Sequence, residues 1–306
     1  MRIVIVGPGA MGCLIGGLLA RAGEDVTLLD YRPERAAKIA NAGLSLKTAA
    51  GKFAVPVKAS ADAAEIGAAD LALVCVKAFQ TSTAAEHAAP CVGKDTTLLT
   101  LQNGLGNIES LSEVFGKGRV IGGVTGHGAT LQGIGEVVHT GTGDTVIGEQ
   151  SGEHTPRLEK IKALLDKAGI STTITTNLAG AVWGKVVINC AINPLAALTC
   201  LKNGDLLREA ALSDLLGKVA VEAAQVAQAL GIELPYANPS EEAKKVCTRT
   251  AENINSMLAD VLNHRPTEIN QLNGAVAKAA KSAPLNTALT ALIRGLEENY
   301  LRQVLE

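Results

Sequence analysis

The sequence predicts an α/β chain in two parts, a doubly wound N-terminal domain followed by an all-α C-terminal domain. Three observations predict it. The first half alternates short apolar β-branched runs with Ala-rich helical stretches, the pattern of parallel strands joined by crossover helices. From Asn177 onward no strand pattern stands out, and the chain is Ala/Leu/Glu-rich and helically periodic almost to Glu306. A length of 306 residues favours two domains, which implies a cleft between them. The texture changes near Thr176, giving domains over 1–176 and 177–306.

The elements follow in order. Strands are expected at 3–6, 26–29, 71–76, 97–101 and 120–124, and helices at 11–22, 33–42, 81–89 and 107–115. The stretch 131–148 is rich in Gly, Thr and Val and fits one or two antiparallel strands added to the sheet edge. A helix over 156–168 and a strand over 172–175 complete the first domain. In the second half, the prolines and turn residues of 231–239, 263–266 and 282–284 separate the helices.

Composition narrows the function classes. Hydrophobic residues make up 47% of the chain but aromatics only 2%, so Ala, Val, Leu and Ile must fill the core. The net charge is −2 and no basic block could neutralise a phosphate backbone, which excludes nucleic acid as the expected partner. The six cysteines lack CxxC pairs and metal-ligand spacing; they are expected to be small buried hydrophobes in a reducing compartment, without metal or disulfide. The N-terminus enters a strand directly with no signal-peptide layout, and no later apolar run of bilayer-spanning length stands out, so a cytoplasmic protein without membrane partners is expected.

Gly7-Pro8-Gly9-Ala10-Met11-Gly12 matches G-x-G-x-x-G between a predicted strand and a predicted helix. Gly7 would make the tight turn, Gly9 admit a pyrophosphate to the backbone and Gly12 allow close helix–strand packing, while the helix N-terminus presents N–H groups to phosphate. That context favours a Rossmann-like dinucleotide domain over a plain glycine loop. Asp30 ends the second strand, about 20 positions on, where an acid reads the adenosine ribose. An acid there points to NAD(H), yet Arg32 and Arg35 lie within reach of a 2′-phosphate; alternatively Arg32, Pro33 and Glu34 only start the next helix. Lys77 and Asn103 follow two further strands and are candidate cofactor contacts, although such residues more often occupy solvated turns.

In the second half, Lys185, Asn189 and Asn193 recur every fourth residue in an otherwise apolar helix, and so share one face. The stripe either faces solvent or lines a polar site; two asparagines favour the site. Pro194 removes the N–H that would pair with the Cys190 carbonyl, so the helix is expected to kink or end there. Ser256 falls in a helix, and Arg265-Pro266-Thr267-Glu268 looks like the first turn of the next, where an acid is common decoration. His127 and His264 read as ordinary polar residues.

With these segments in place the chain resembles the ketopantoate reductase family over its full length. The carrying motifs are GPGAMG (7–12), VKAFQ (76–80), QNGLG (102–106), WGKVVINCAINPL (183–195), KNGDL (202–206), INSML (254–258) and RPTEIN (265–270). The resemblance implies hydride transfer from NADPH to the keto carbon of ketopantoate, giving pantoate for pantothenate and coenzyme A synthesis. It implies Lys185 as general acid and Glu268 as its partner, with Glu268 also at the cofactor. Asn189, Asn193, Asn203, Ser256 and Asn103 would bind substrate. Gly7, Pro8, Gly9, Ala10, Met11, Gly12, Asp30, Arg32, Lys77, Asn103 and Ala129 would bind cofactor, and closure of the domains would exclude water. One departure stands out: family members commonly carry an arginine just after the second strand, where this chain has Asp30-Tyr31-Arg32, which leaves NAD(H) beside NADP(H). The alternatives are a reductase of another small 2-keto acid, a β-hydroxyacid dehydrogenase, and a non-enzymatic nucleotide-sensing regulator. The helical half also offers an apolar face for a homodimer.

Overall fold

The structure, a computed structural model, describes residues 1–303. In chain order the elements are β1 (Arg2–Val6), α1 (Ala10–Arg21), β2 (Asp25–Leu29), α2 (Pro33–Ala42), β3 (Leu44–Thr48), β4 (Gly51–Val55), β5 (Lys58–Ser60), α3 (Ala63–Ile66), β6 (Leu71–Val74), α4 (Thr81–Ala88), β7 (Thr97–Thr100) and α5 (Asn107–Phe115). Then come β8 (Val120–Thr125), β9 (Gly128–Gly133), β10 (Glu136–Gly141), β11 (Thr145–Glu149), α6 (Pro156–Lys167), β12 (Thr172–Ile174), α7 (Leu178–Thr199), α8 (Ala210–Ala229), α9 (Pro239–Arg249), α10 (Ser256–Leu262), α11 (Asn273–Ala279) and α12 (Pro284–Gln303). The chain separates into two compact units, one of Met1–Gln102 with Gly106–Leu178, the other of Asn103–Leu105 with Ala179–Glu306.

The first unit is built on an eight-stranded sheet in the order β12-β11-β8-β7-β6-β1-β2-β5. Its strands from β8 to β5 are parallel, and the order reverses between β1 and β6, the switch point at which doubly wound folds bind ligands. β1 shows why the middle strands read as unbroken apolar runs: Ile3, Val4, Ile5 and Val6 are all buried, because helices cover both faces.

The stretch 131–148 departs from expectation. Only β11 joins the large sheet, antiparallel to β8; β9 and β10 belong to a separate four-stranded sheet, β4-β3-β10-β9. The β3–β4 hairpin supplies its other half and was absent from the expected elements. Its signal was present: Leu44 and Leu46 alternate with Ser45 and Lys47, and the run ends at Ala49-Ala50-Gly51. Helix α1 packs on β2 and also on β9 and β10. A Cβ on Gly16 would lie 2.8 Å from Leu28 Cδ2 and one on Gly17 3.3 Å from Leu44 Cδ1, so glycines on α1 allow both approaches.

Among the described residues the second unit has helices and no strand. Its core gathers Val186, Val187, Cys190 and Ala191 of α7 with Val219, Ala220 and Ala223 of α8. Contrary to expectation, α7 is long and apolar enough to cross a bilayer, with a window of mean hydropathy 1.4, but 72% of that window is buried inside the protein, as befits a core helix. Nor does α7 end at Pro194; it continues to Thr199. The carbonyl of Cys190 that proline leaves without an i+4 donor accepts instead from Asn273 Nδ2 at 3.0 Å, so it is not left unsatisfied. All six cysteines are free; Cys75, half-buried, and Cys200, exposed after the end of α7, depart from the buried pattern.

Candidate active site

The glycine turn lies between β1 and α1. Gly7 adopts φ +89°, and a Cβ there would strike Val76, two residues past the neighbouring β6. A Cβ on Gly12 would run into the Gly7 carbonyl, so turn and helix pack without room for a side chain. Gly9 differs: its φ of −72° suits any residue and an added Cβ meets nothing within 4 Å. The space over Gly9 suits a group placed against its backbone, and Gly9 has no side chain with which to cap α1, whose first N–H groups open on the same turn. This cradle fits a pyrophosphate.

Beside it, Asp30 is only 2% exposed. Its Oδ1 accepts from the Arg32 N–H at 3.1 Å, and its Oδ2 lies 2.9 Å from Arg35 Nε. Arg32 is exposed; its Nε donates to Tyr31 Oη at 2.7 Å and its guanidinium sits over the Tyr31 ring, 5.0 Å from the centroid.

At the ends of β6 and β7 a part-buried network appears that the sequence did not disclose. Gln102 Nε2 donates to the Val76 carbonyl at 2.8 Å and to Thr81 Oγ1 at 2.9 Å, while its Oε1 accepts from Thr100 Oγ1 at 2.8 Å. Thr81 Oγ1 contacts Asn107 Oδ1 at 2.9 Å. Gln102 thereby clamps the turn that carries Lys77, which is part-buried, to the turn after β7. Ala129 stands on β9 opposite His139 of β10, whose Nε2 lies 2.9 Å from His127 Nδ1. Burial holds both imidazoles below their ordinary range.

In the second unit, Lys185, Asn189 and Asn193 stand on α7 among buried Val186, Val187, Ile188 and Ile192. Burial pushes the Lys185 ammonium down to about 8, and the charge of Glu268 opposes that fall. Glu268 is buried but does not stand in a first helical turn: α11 begins at Asn273, and the Glu268 carbonyl accepts from Gln271 and Leu272 in a turn before it. Thr267 anchors the loop through its N–H to Glu297 Oε1 at 2.7 Å. Asn203 and Ser256 form a second group. The Asn203 N–H donates to the Asn253 carbonyl, and Asn203 Oδ1 accepts from Asn255 Nδ2 at 3.1 Å. Asn255 also caps α10, whose first residue is the exposed Ser256. Asn103 packs with this unit, where the neighbouring Leu105 N–H donates to the Gln271 carbonyl at 2.8 Å. Asn255 and Asn273 organise this unit although neither stood out in the sequence.

Known proteins carry the same design. Residues 3–152 match the family described as ketopantoate reductase PanE/ApbA, and residues 177–297 match its C-terminal part. A 2-dehydropantoate 2-reductase of Pyrococcus horikoshii is 37% identical, with 97% of this chain and 98% of that protein covered. The crystal structure of 2-dehydropantoate 2-reductase from Geobacter metallireducens superposes with TM-score 0.90 at 34% identity, covering 96% of this chain and 99% of that one. A D-mandelate dehydrogenase solved in complex with NADH gives TM-score 0.87 at 25% identity, covering 98% of this chain and 100% of that one. Matches to the family across residues 3–152 and 177–297, with a relative 37% identical over nearly the whole chain, place this chain in the ketopantoate reductase family.

Proposed function

We propose that this protein reduces ketopantoate to pantoate with NADPH, as a step toward pantothenate and coenzyme A. A reduced nicotinamide dinucleotide supplies the hydride that reaches the keto carbon. The glycine turn, Lys77 and the Ala129 strand hold that cofactor, with Asn103 completing the contacts to its ribose. Asn189, Asn193, Asn203 and Ser256 hold the keto acid by its hydroxyl and carboxylate.

Lys185 carries the reading. Its ammonium, held near neutral acidity by burial, donates a proton to the keto oxygen as negative charge develops there, and stabilises that charge beforehand. Glu268 keeps Lys185 charged and oriented. A solvated surface lysine would keep its ordinary, much weaker acidity and transfer the proton less readily.

The test is steady-state oxidation of NADPH and of NADH by the purified protein. It is run with ketopantoate, an aryl 2-keto acid chosen for the likeness to D-mandelate dehydrogenase, and pyruvate. The expected result is a kcat/KM highest for ketopantoate. Preference for the aryl keto acid would transfer the assignment to another 2-keto acid, and turnover of none would leave a nucleotide-binding protein of other function.

A further inference from the structure

The turn from Val76 to Thr81 carries Lys77, and one side chain from outside the turn holds both of its ends. Gln102, two residues past β7, donates from Nε2 to the Val76 carbonyl at 2.8 Å, immediately before Lys77. The same nitrogen donates to Oγ1 of Thr81, the first residue of α4, at 2.9 Å. Gln102 Oε1 accepts from Thr100 Oγ1 at 2.8 Å, and Thr100 Oγ1 accepts from the Gln102 N–H at 3.3 Å. Both amide protons and the amide oxygen are engaged, and the reverse orientation would set that oxygen against the Val76 carbonyl. Inside the turn, the Gln80 N–H donates to the Lys77 carbonyl at 2.8 Å, and the Thr81 hydroxyl lies 2.9 Å from the Ala78 carbonyl. These inner bonds give the turn its shape, and Gln102 sets its place against the end of β7.

A lysine ammonium rides on a flexible four-carbon stem, so where it can reach depends on where its backbone is held. Building on the reading of Lys77 as a dinucleotide contact, we propose that Gln102 is its positioning residue. The amide fixes the Val76–Thr81 turn at both ends so that the Lys77 ammonium meets the bound dinucleotide. An amide suits this task because it donates twice and accepts once. A carboxylate would turn an acceptor toward the Val76 carbonyl, and a thioether would leave that carbonyl and the Thr81 hydroxyl without their donor.

Fluorescence titration with NADPH and with NADH, in the absence of any keto acid, tests this through a double-mutant cycle of Gln102→Met and Lys77→Ala. Lys77→Ala is expected to weaken binding about tenfold or more, the scale of one charge-assisted contact. Gln102→Met should weaken it at least about fivefold when Lys77 is present and less than about twofold when it is absent. A loss of the same size in both backgrounds means that Gln102 supports the fold or some other contact, and overturns the proposal. If Gln102→Met does not fold, Thr81→Val takes its place in the cycle, removing one end of the bridge. Thr81→Ser keeps the hydroxyl and should bind as the wild type does; a serine variant as weak as the valine one also overturns the proposal. Unchanged affinity in Lys77→Ala removes Lys77 from the cofactor site, and the proposal with it, while leaving the glycine turn's role intact. A wild type that binds neither nucleotide removes the dinucleotide reading and the proposal together.

Discussion

The two candidate half-sites are made of different material. In the first unit the ligand surface is backbone: glycines that exclude side chains, a helix N-terminus and the ends of parallel strands. In the second it is side chain: an ammonium, asparagines and a carboxylate held among buried aliphatic groups. A backbone site is damaged by adding atoms and a side-chain site by removing them. The two therefore make opposite predictions about what a small substitution does to fold and to function.

The largest effect belongs to the second site. Lys185→Ala places a strong helix former on α7 and should fold normally, yet kcat is expected to fall by about 10²-fold or more, the usual cost of losing a general acid. The wild-type pH profile checks the same point. Because burial lowers Lys185 to about 8, rising pH removes its proton within the working range, so kcat/KM should decline through about pH 8. Glu268→Gln removes a charge that favours the ammonium, and the decline should move to lower pH. An alkaline limb unmoved in that variant would detach Lys185 from the chemistry.

The next effect tests the first site by addition. Gly9→Ala introduces a methyl that meets nothing within 4 Å in the protein, so the unfolding free energy should change by no more than about 0.5 kcal/mol. Dinucleotide affinity should nevertheless drop roughly tenfold or more, because a methyl forced into a packed contact costs about 1–3 kcal/mol. Gly12→Ala should instead lower the melting temperature, since its methyl meets the Gly7 carbonyl inside the protein. If Gly9→Ala binds as the wild type does, no phosphate rests on that backbone.

The same contrast explains how much was legible in the sequence. A backbone site depends on spacing, and spacing survives in one dimension: GPGAMG after an apolar strand specified the turn, the strand and the helix together. Lys185, Asn189 and Asn193 were legible because the helix period puts them on one face. What joins distant segments was not. Nothing near Asp30 says that its carboxylate turns to Arg35 and not outward, and nothing in QNGLG says that Gln102 reaches back to Val76 and Thr81. Glu268 was misplaced into a helix because Pro266 fits a first turn. The chain instead spends 265–272 on a loop fixed by Thr267 and Glu297, a contact 30 residues apart. The β3–β4 hairpin had a local signal, but its membership in a second sheet did not: β3 pairs with β10, about 90 residues on, and no local pattern shows that pairing.

The smallest effect concerns how α7 continues through a proline. Asn273 is fully buried, and its Nδ2 donates both to the Cys190 carbonyl at 3.0 Å and to Asn286 Oδ1 at 3.0 Å. Asn286 is held in turn by Glu222, which accepts from its N–H and its side-chain amide at 2.8 Å each. Asn273→Leu leaves the Cys190 carbonyl buried and unsatisfied and should cost about 1–3 kcal/mol, measured by denaturant unfolding. Pro194→Ala restores an N–H four residues after Cys190, so in that background the carbonyl has its helical donor again and the loss of Asn273 should cost less. The double-mutant cycle reads that difference directly. Additive effects would mean that Asn273 stabilises the unit through Asn286 alone, and that α7 tolerates Pro194 by some means other than this amide.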